Sequence, residues 1–139
     1  MRIVLDTNVL VSGLLNPHGT PGRVLDLTAA GALVLLYDDR ILAEYREVLF
    51  RPRFGFPAAD VSVLLAFVEW SGEAVVALPL GVELPDPDDL PFLEVAVAGG
   101  ADALVTGNPR HFRPTRGIHR LKVVSPAKLY AALAAGENP

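Results

Sequence analysis

Short apolar runs alternate with stretches whose apolar residues recur at helical spacing. Such runs, rich in branched residues and bounded by turn-forming residues, predict buried strands; they are Arg2–Leu5, Leu33–Tyr37, Ala74–Leu78, Ala103–Thr106 and Leu121–Val124. The stretches between and after them predict helices from about residue 9 to 15, 20 to 30, 40 to 50, 58 to 70, 90 to 98 and 126 to 135. The alternation predicts an α/β fold, a three-layer α/β/α arrangement with a central, mostly parallel five-stranded sheet.

The length and composition indicate one folded unit. The chain has 139 residues, of which 51% are apolar and 20% charged, so we expect a single domain over residues 1–135 and a frayed tail over 136–139. No apolar run reaches the roughly 18 residues of a membrane span. No secretory signal is visible at the N-terminus. Cysteine is absent, which excludes disulfides and thiolate metal sites. These features favour a cytoplasmic protein without membrane association.

Charge is distributed unevenly along the chain. Residues 1–102 carry a net charge of −9 and residues 103–139 a net charge of +5, within a total of −4. This separation is compatible with an acidic cation site beside a basic surface for an anionic polymer, or with a chance cluster of solvated arginines.

Asp6 stands where the first predicted strand stops. The carboxyl ends of parallel strands are where open α/β sheets bind ligands, so an acid at this position is a candidate site residue. The alternative is that Asp6 only caps the following helix, because Asp is a favoured capping residue.

Three further positions belong with Asp6 if the predicted sheet is correct. Glu44 lies on or beside the apolar face of its helix, Asp89 opens a helix, and Asn108 follows the fourth strand. Taken singly, Glu44 could reach solvent, Asp89 could be a cap, and the neighbouring Asp86 and Asp88 could be turn formers. Taken together, carboxylates at one edge repel each other and need a cation, and oxygen ligands without cysteine select Mg²⁺ or Mn²⁺.

At this point the sequence resembles the PIN-domain family, in particular its small bacterial toxin components of toxin–antitoxin pairs. The matching pieces cover nearly the whole chain: IVLDTNVLVSGLL at residues 3–15, RILAEYREVLFRPRF at 40–54, DPDDLPFLEVAVAGGADALVTGN at 86–108 and KVVSPAKLYAAL at 122–133. The first and third pieces, in this order and separation, are the specific ones.

The resemblance implies a Mg²⁺- or Mn²⁺-dependent endoribonuclease that cleaves single-stranded RNA. It assigns the catalytic and metal-binding acids to Asp6, Glu44 and Asp89, with Asp86 and Asp88 as alternates for the third. The family's fourth acid falls on Asn108, which offers an oxygen without a charge and so bears on a second metal ion. The resemblance also gives Thr7 and Asn8 the role of orienting the first acid.

The partners expected from the resemblance and the charge are RNA and a small antitoxin protein, and a homodimer or higher oligomer is compatible with both. Phosphate contacts are expected from basic residues near the C-terminal end, namely Arg110, Arg113, Arg116, Arg120 and Lys122. His111 has no spacing that makes it a ligand. One competing interpretation is a phosphoryl-transfer protein with Asp6 as nucleophile, although Asn8 stands where a second Asp would be needed. Another is a PIN fold without activity that binds nucleic acid or a protein.

Overall fold

The structure, a computed structural model, describes residues 1–115 and 121–139. Five parallel strands form one sheet in the order β3-β2-β1-β4-β5. The strands are β1 Arg2–Leu5, β2 Val34–Tyr37, β3 Glu73–Ala74, β4 Ala103–Val105 and β5 Val123–Val124. The helices of the described residues are α1 Thr7–Leu15, α2 Thr20–Ala29, α3 Asp39–Leu49, α4 Ala58–Ser71, α5 Leu90–Gly99 and α6 Pro126–Ala134. The predicted three-layer α/β/α fold with a parallel five-stranded sheet is confirmed.

The central strand β1 explains the apolar run at the start of the sequence. Ile3, Val4 and Leu5 have no exposed surface, because β1 pairs with β2 on one side and β4 on the other and its faces are covered. Leu5 lies opposite Val105, so β1 and β4 end side by side. The residues that follow these two strands are therefore neighbours at the carboxyl edge of the sheet.

The predicted strand Ala74–Leu78 is wrong in its length. The strand β3 covers Glu73–Ala74 only, and beyond it Val76 and Leu78 are 91% and 73% exposed. β3 lies at the edge of the sheet, where it pairs with β2 on one side and has no neighbouring strand on the other. Branched residues alone do not prolong a strand there, because strand preference mostly reflects packing against neighbours.

Other differences are small. β4 and β5 are shorter than predicted by one and two residues, and the segment after β4 contains a 3-10 helix, Pro109–Thr115, where a loop was expected. The helix bounds differ by one or two residues, as is usual at helix ends. Among the described residues, no helix is both long and apolar enough to cross a membrane.

Candidate active site

Asp6 directly follows β1 and precedes α1, but its side chain does not cap that helix with a hydrogen bond. Its Oδ2 instead accepts a hydrogen bond of 2.7 Å from the hydroxyl of Thr106, the residue that follows β4. Asp6 is 7% exposed and Thr106 is fully buried. The carboxylate is therefore held at the carboxyl edge of the sheet by the neighbouring strand.

Burial raises the pKa of Asp6 above its ordinary value of 3.8. The hydrogen bond from Thr106, the nearby amides of Thr7 and Asn8, and the charge of His111 oppose this shift without cancelling it. A positive charge placed beside such a carboxylate would stabilise its ionised form.

Glu44 reaches the same region from α3. The hydroxyl of Thr7 donates a hydrogen bond to Glu44 Oε2, and the hydroxyl of the next residue on α3, Tyr45, donates one to the carbonyl oxygen of Leu5. These two contacts fix α3 against the end of β1, on both sides of Asp6. Burial raises the pKa of Glu44, and the negative charges of Asp6 and of two more distant acids raise it further.

Asp89 is the third acid of this region. It ends a 3-10 helix, Pro87–Asp89, immediately before α5, and its side chain makes no capping hydrogen bond. Its Oδ2 is buried without a hydrogen-bond partner, and Nδ1 of His111 lies 3.6 Å from it. Burial, followed by the charges of Asp6 and Asp86, raises the pKa of Asp89 to about 6. An unsatisfied carboxylate oxygen in such a place is costly and calls for a partner.

The three neighbouring acids of this loop have different surroundings. Asp86 and Asp88 are exposed, and Oδ1 of Asp86 accepts a hydrogen bond of 3.0 Å from the amide of Asp88, as in a turn. Asp89 is the one that is buried. The structure thus separates the candidates that the sequence left open, and it brings Asp89 rather than the alternates toward Asp6.

The two polar residues after Asp6 contact more than one partner. The backbone amides of Thr7 and Asn8 are hydrogen-bonded to Asp6, the hydroxyl of Thr7 donates to Glu44, and Asn8 Oδ1 accepts a hydrogen bond of 3.2 Å from the amide of Gly107. Asn108 is half-buried, and its backbone amide donates a hydrogen bond of 3.1 Å to Thr106 Oγ1. Thr7 therefore positions the helical acid, and Asn8 holds the turn that follows β4.

Two residues of this region were missed from the sequence. Thr106 was taken only as the end of a strand, although its position beside Asp6 at the sheet edge was available from the strand order of a parallel sheet. His111 was given no role because no sequence spacing connects it with Asp89, and only the fold brings the two together.

The predicted phosphate-contacting residues fall into two groups. Arg110, Arg113 and Lys122 are exposed; the two arginines follow β4, and Lys122 directly precedes β5. Arg116 and Arg120 lie outside the described residues.

The donor set suits a hard divalent cation in kind. It consists of carboxylate oxygens whose pKa values are raised by burial and, for Glu44 and Asp89, by mutual repulsion, and it contains a buried oxygen without a partner. Within residues 1–115 and 121–139, however, no three His, Asp or Glu side chains are arranged as a ready-made ligand group. The acids are thus gathered in one region without forming a closed cage.

Fold and site define an α/β protein with an acidic site at the carboxyl edge of a parallel sheet. The family profile described as PIN domain matches residues 2–110, so the chain belongs to the PIN-domain family. PIN domains are generally nucleases and typically use divalent metal ions. The chain is also similar to an uncharacterized protein of the archaeon Methanocaldococcus jannaschii, with 28% identity over 137 residues that cover 91% of this chain and 87% of that protein.

Proposed function

We propose that the protein is a Mg²⁺- or Mn²⁺-dependent endoribonuclease that cleaves single-stranded RNA. The observation that carries the proposal is the meeting of Asp6, Glu44 and Asp89 at one edge of the sheet, where Asp89 keeps a buried oxygen without a hydrogen-bond partner. Bringing these acids together, two of them buried and one half-buried, is unfavourable for folding, because the charge of Asp6 disfavours ionisation of Glu44 and Asp89. Such an arrangement is explained by a cation that compensates it.

The proposed ligands are the carboxylates of Asp6, Glu44 and Asp89, with the amide oxygen of Asn108 as a neutral fourth donor. When bound, the ion would supply charge stabilisation for a phosphodiester and a more acidic water. The chain's own residues hold the ligands: Thr106 fixes Asp6, and Thr7 fixes Glu44.

The narrower parts of the proposal rest on charge and on resemblance. The net charge of +5 over residues 103–139 supports an anionic polymer as substrate. The motif pieces shared with small bacterial toxins support a role as the toxin of a toxin–antitoxin pair, with a small antitoxin protein as partner.

A second candidate is a PIN fold of low or no activity that binds nucleic acid or a protein partner. Two observations favour it: Asn108 stands in place of a fourth acid, and the described residues contain no assembled group of three metal-binding side chains. Both candidate functions include binding of RNA, so a cleavage assay is needed to distinguish them.

The test is cleavage of a labelled single-stranded RNA with and without added Mg²⁺ or Mn²⁺. We expect cleavage only with the metal, little cleavage with Ca²⁺, and a loss of at least about a hundredfold in rate for Asp6→Asn, the range in which loss of one catalytic group falls. The matched control is Asp60→Asn, which removes an exposed acid on α4 and should leave the rate unchanged. An unaltered rate for highly purified Asp6→Asn protein would refute the mechanism, and a wild-type protein that binds RNA without cutting it would favour the second candidate.

A further inference from the structure

A cavity of about 450 Å³ lies beside the acidic site and is separate from it. Its walls come from the 3-10 helix Pro109–Thr115, from β5 with the two residues before it, from the first turn of α6, and from Pro139. Small-molecule sites in proteins usually measure about 300–1,000 Å³, so this cavity can hold a ligand of nucleotide size.

Four cationic side chains line the cavity: Arg110, Arg113, Lys122 and Lys128. They come from three different elements and converge on one space. No aspartate or glutamate lines it, and none of the four cations is ion-paired with an acid in the part of the chain that the structure describes. An excess of positive charge gathered in one space favours an anionic ligand.

The cavity also has an apolar wall. Leu121 and Val123 are partly exposed on its lining, and Phe112 and Val124 are buried behind them. Free phosphate needs only the cations. A wall of this kind next to cations suits a ligand that has a flat apolar part as well as a phosphate, and a nucleotide has both.

The cavity is connected to the acidic site through a few residues. The backbone amide of Asn108 donates a hydrogen bond to Thr106, which in turn donates one to Asp6. Asn108 is followed by Pro109 and Arg110, which lie on the cavity wall. On the other side, Val124 of β5 accepts a hydrogen bond from the amide of Thr106. A chain that crosses the acidic site could therefore continue into the cavity.

We propose that this cavity binds one nucleotide unit of the RNA substrate at a distance from the cleaved bond, with the phosphate on the four cations and the base against Leu121 and Val123. The inference rests on the proposed function and extends it, because it gives the enzyme a second point of contact that fixes the strand. A free nucleotide offers the same chemistry, so the experiment separates the two sources. An acidic protein segment is the competing occupant and an outcome of the test.

The experiment compares two double variants of the full chain. Lys122→Gln with Lys128→Gln removes two charges from the cavity, and Arg23→Gln with Arg53→Gln removes two exposed charges elsewhere as the matched control. Binding of a labelled single-stranded RNA is measured in EDTA across a range of salt concentrations, so that cleavage does not contribute. Each lost phosphate contact should lower the slope of log affinity against log salt by about 0.7, hence by about 1.4 for two contacts. The loss of affinity of the cavity variant relative to the wild type should therefore be roughly 25-fold larger at 0.1 M than at 1 M salt.

A second measurement addresses the apolar wall and the source of the nucleotide. Methyl signals of Leu121 and Val123 are followed by NMR during titration with AMP, with inorganic phosphate and with the RNA. The RNA and AMP should move these signals, the RNA at lower concentration, whereas phosphate alone should leave them largely in place.

Several results would overturn the proposal. One is a salt slope that the cavity variant changes no more than the control. Another is a glutamate-rich peptide that binds the wild-type cavity more tightly than RNA does and loses that binding in the cavity variant. AMP binding tighter than RNA would make the site one for free nucleotides. If the wild-type protein showed no metal-dependent cleavage, the proposed function would be refuted instead. The two failures can be told apart, because the binding assay in EDTA does not depend on cleavage.

Discussion

Asp6 and Thr106 show how a buried acid is kept in place. The two residues are separated by 100 positions in the sequence, and a single hydroxyl serves Asp6 as donor and the amide of Asn108 as acceptor. In a site with little water, a hydrogen bond to a carboxylate contributes more than an average one and its loss leaves a charged group without compensation. The position of Asp6 therefore depends strongly on Thr106.

We predict that Thr106→Val lowers the free energy of unfolding by about 1–3 kcal/mol, because it removes the donor to Asp6 and the acceptor of Asn108 while keeping the side-chain volume. Urea denaturation at neutral pH measures the change. Thr106→Ser retains the hydroxyl and should recover most of the loss. A Val variant as stable as the wild type, together with a less stable Ser variant, would show that packing of the methyl group, and not the hydrogen bond, is what matters.

The raised pKa of Asp89 predicts how stability depends on pH. The group has a pKa of about 6 in the folded protein against 3.8 ordinarily, so its stabilising contribution is complete below pH 3.8 and is lost as the pH rises through 6. We expect Asp89→Asn to equal the wild type in stability near pH 4 and to exceed it at pH 7 by about 1–2 kcal/mol in EDTA.

Urea denaturation of the two proteins at both pH values provides the measurement. The control is Asp88→Asn, which changes an exposed neighbour and should show no such difference. If Asp89→Asn were less stable than the wild type at pH 7, the carboxylate would be engaged in a favourable contact and the site would not be one of repelling acids.

At the scale of elements, α3 shows how much of the site the sequence could predict. Periodicity placed Glu44 beside the apolar face, and the structure finds it there, half-buried. Its partner Thr7 could not be predicted, because a helix pattern does not specify which neighbour the helix packs against. The same holds for the third acid, since Asp86, Asp88 and Asp89 are equally good turn and cap residues and only packing decides which one is buried. The predicted length of β3 is wrong for a related reason: how far an edge strand extends depends on the residues that pack against it.

A buried acid on α5 connects elements around the site. Glu94, 4% exposed, accepts a hydrogen bond of 2.7 Å from Arg40 of α3 with one oxygen and one of 2.9 Å from the amide of Leu80 with the other. Arg40 also pairs with Asp38, which caps α3 by accepting a hydrogen bond from the amide of Ile41. These hydrogen bonds connect the segment before the acidic loop to α3, which carries Glu44, and to α5, which follows Asp89.

We predict that Glu94→Leu lowers the free energy of unfolding by about 2–3 kcal/mol, because it leaves the amide of Leu80 and the guanidinium of Arg40 without their partner. Glu94→Gln keeps an oxygen for Leu80 and should lose about half as much. Hydrogen exchange at the Leu80 amide distinguishes the variants: exchange should be much faster in the Leu variant and near normal in the Gln variant. Unchanged exchange in both would mean that other contacts hold the segment.

At the scale of the whole molecule, the proposed ligands come from three separate parts of the fold: the end of β1, the middle of α3 and the start of α5. An ion bound by all three would connect them and stabilise only the folded state. The effect of such a ligand on stability follows from its concentration relative to its dissociation constant.

We therefore predict that Mn²⁺ at a hundred times its dissociation constant raises the melting temperature by on the order of 10 °C, which corresponds to about 2.7 kcal/mol. Differential scanning fluorimetry measures the shift. Asp89→Asn should lose most of the shift, and Asp60→Asn should keep it. A shift of the same size in both variants would place the bound ion elsewhere on the protein.

The pairing of β1 with β4 has a consequence for the order of events during synthesis. Asp6 leaves the ribosome before the strand beside it and the hydroxyl that holds it, which are made about a hundred residues later. Contacts of such large sequence separation form late, because the intervening chain must first be ordered. The acids therefore remain apart while most of the chain is being translated, and a nascent chain still short of β4 has no assembled acidic site.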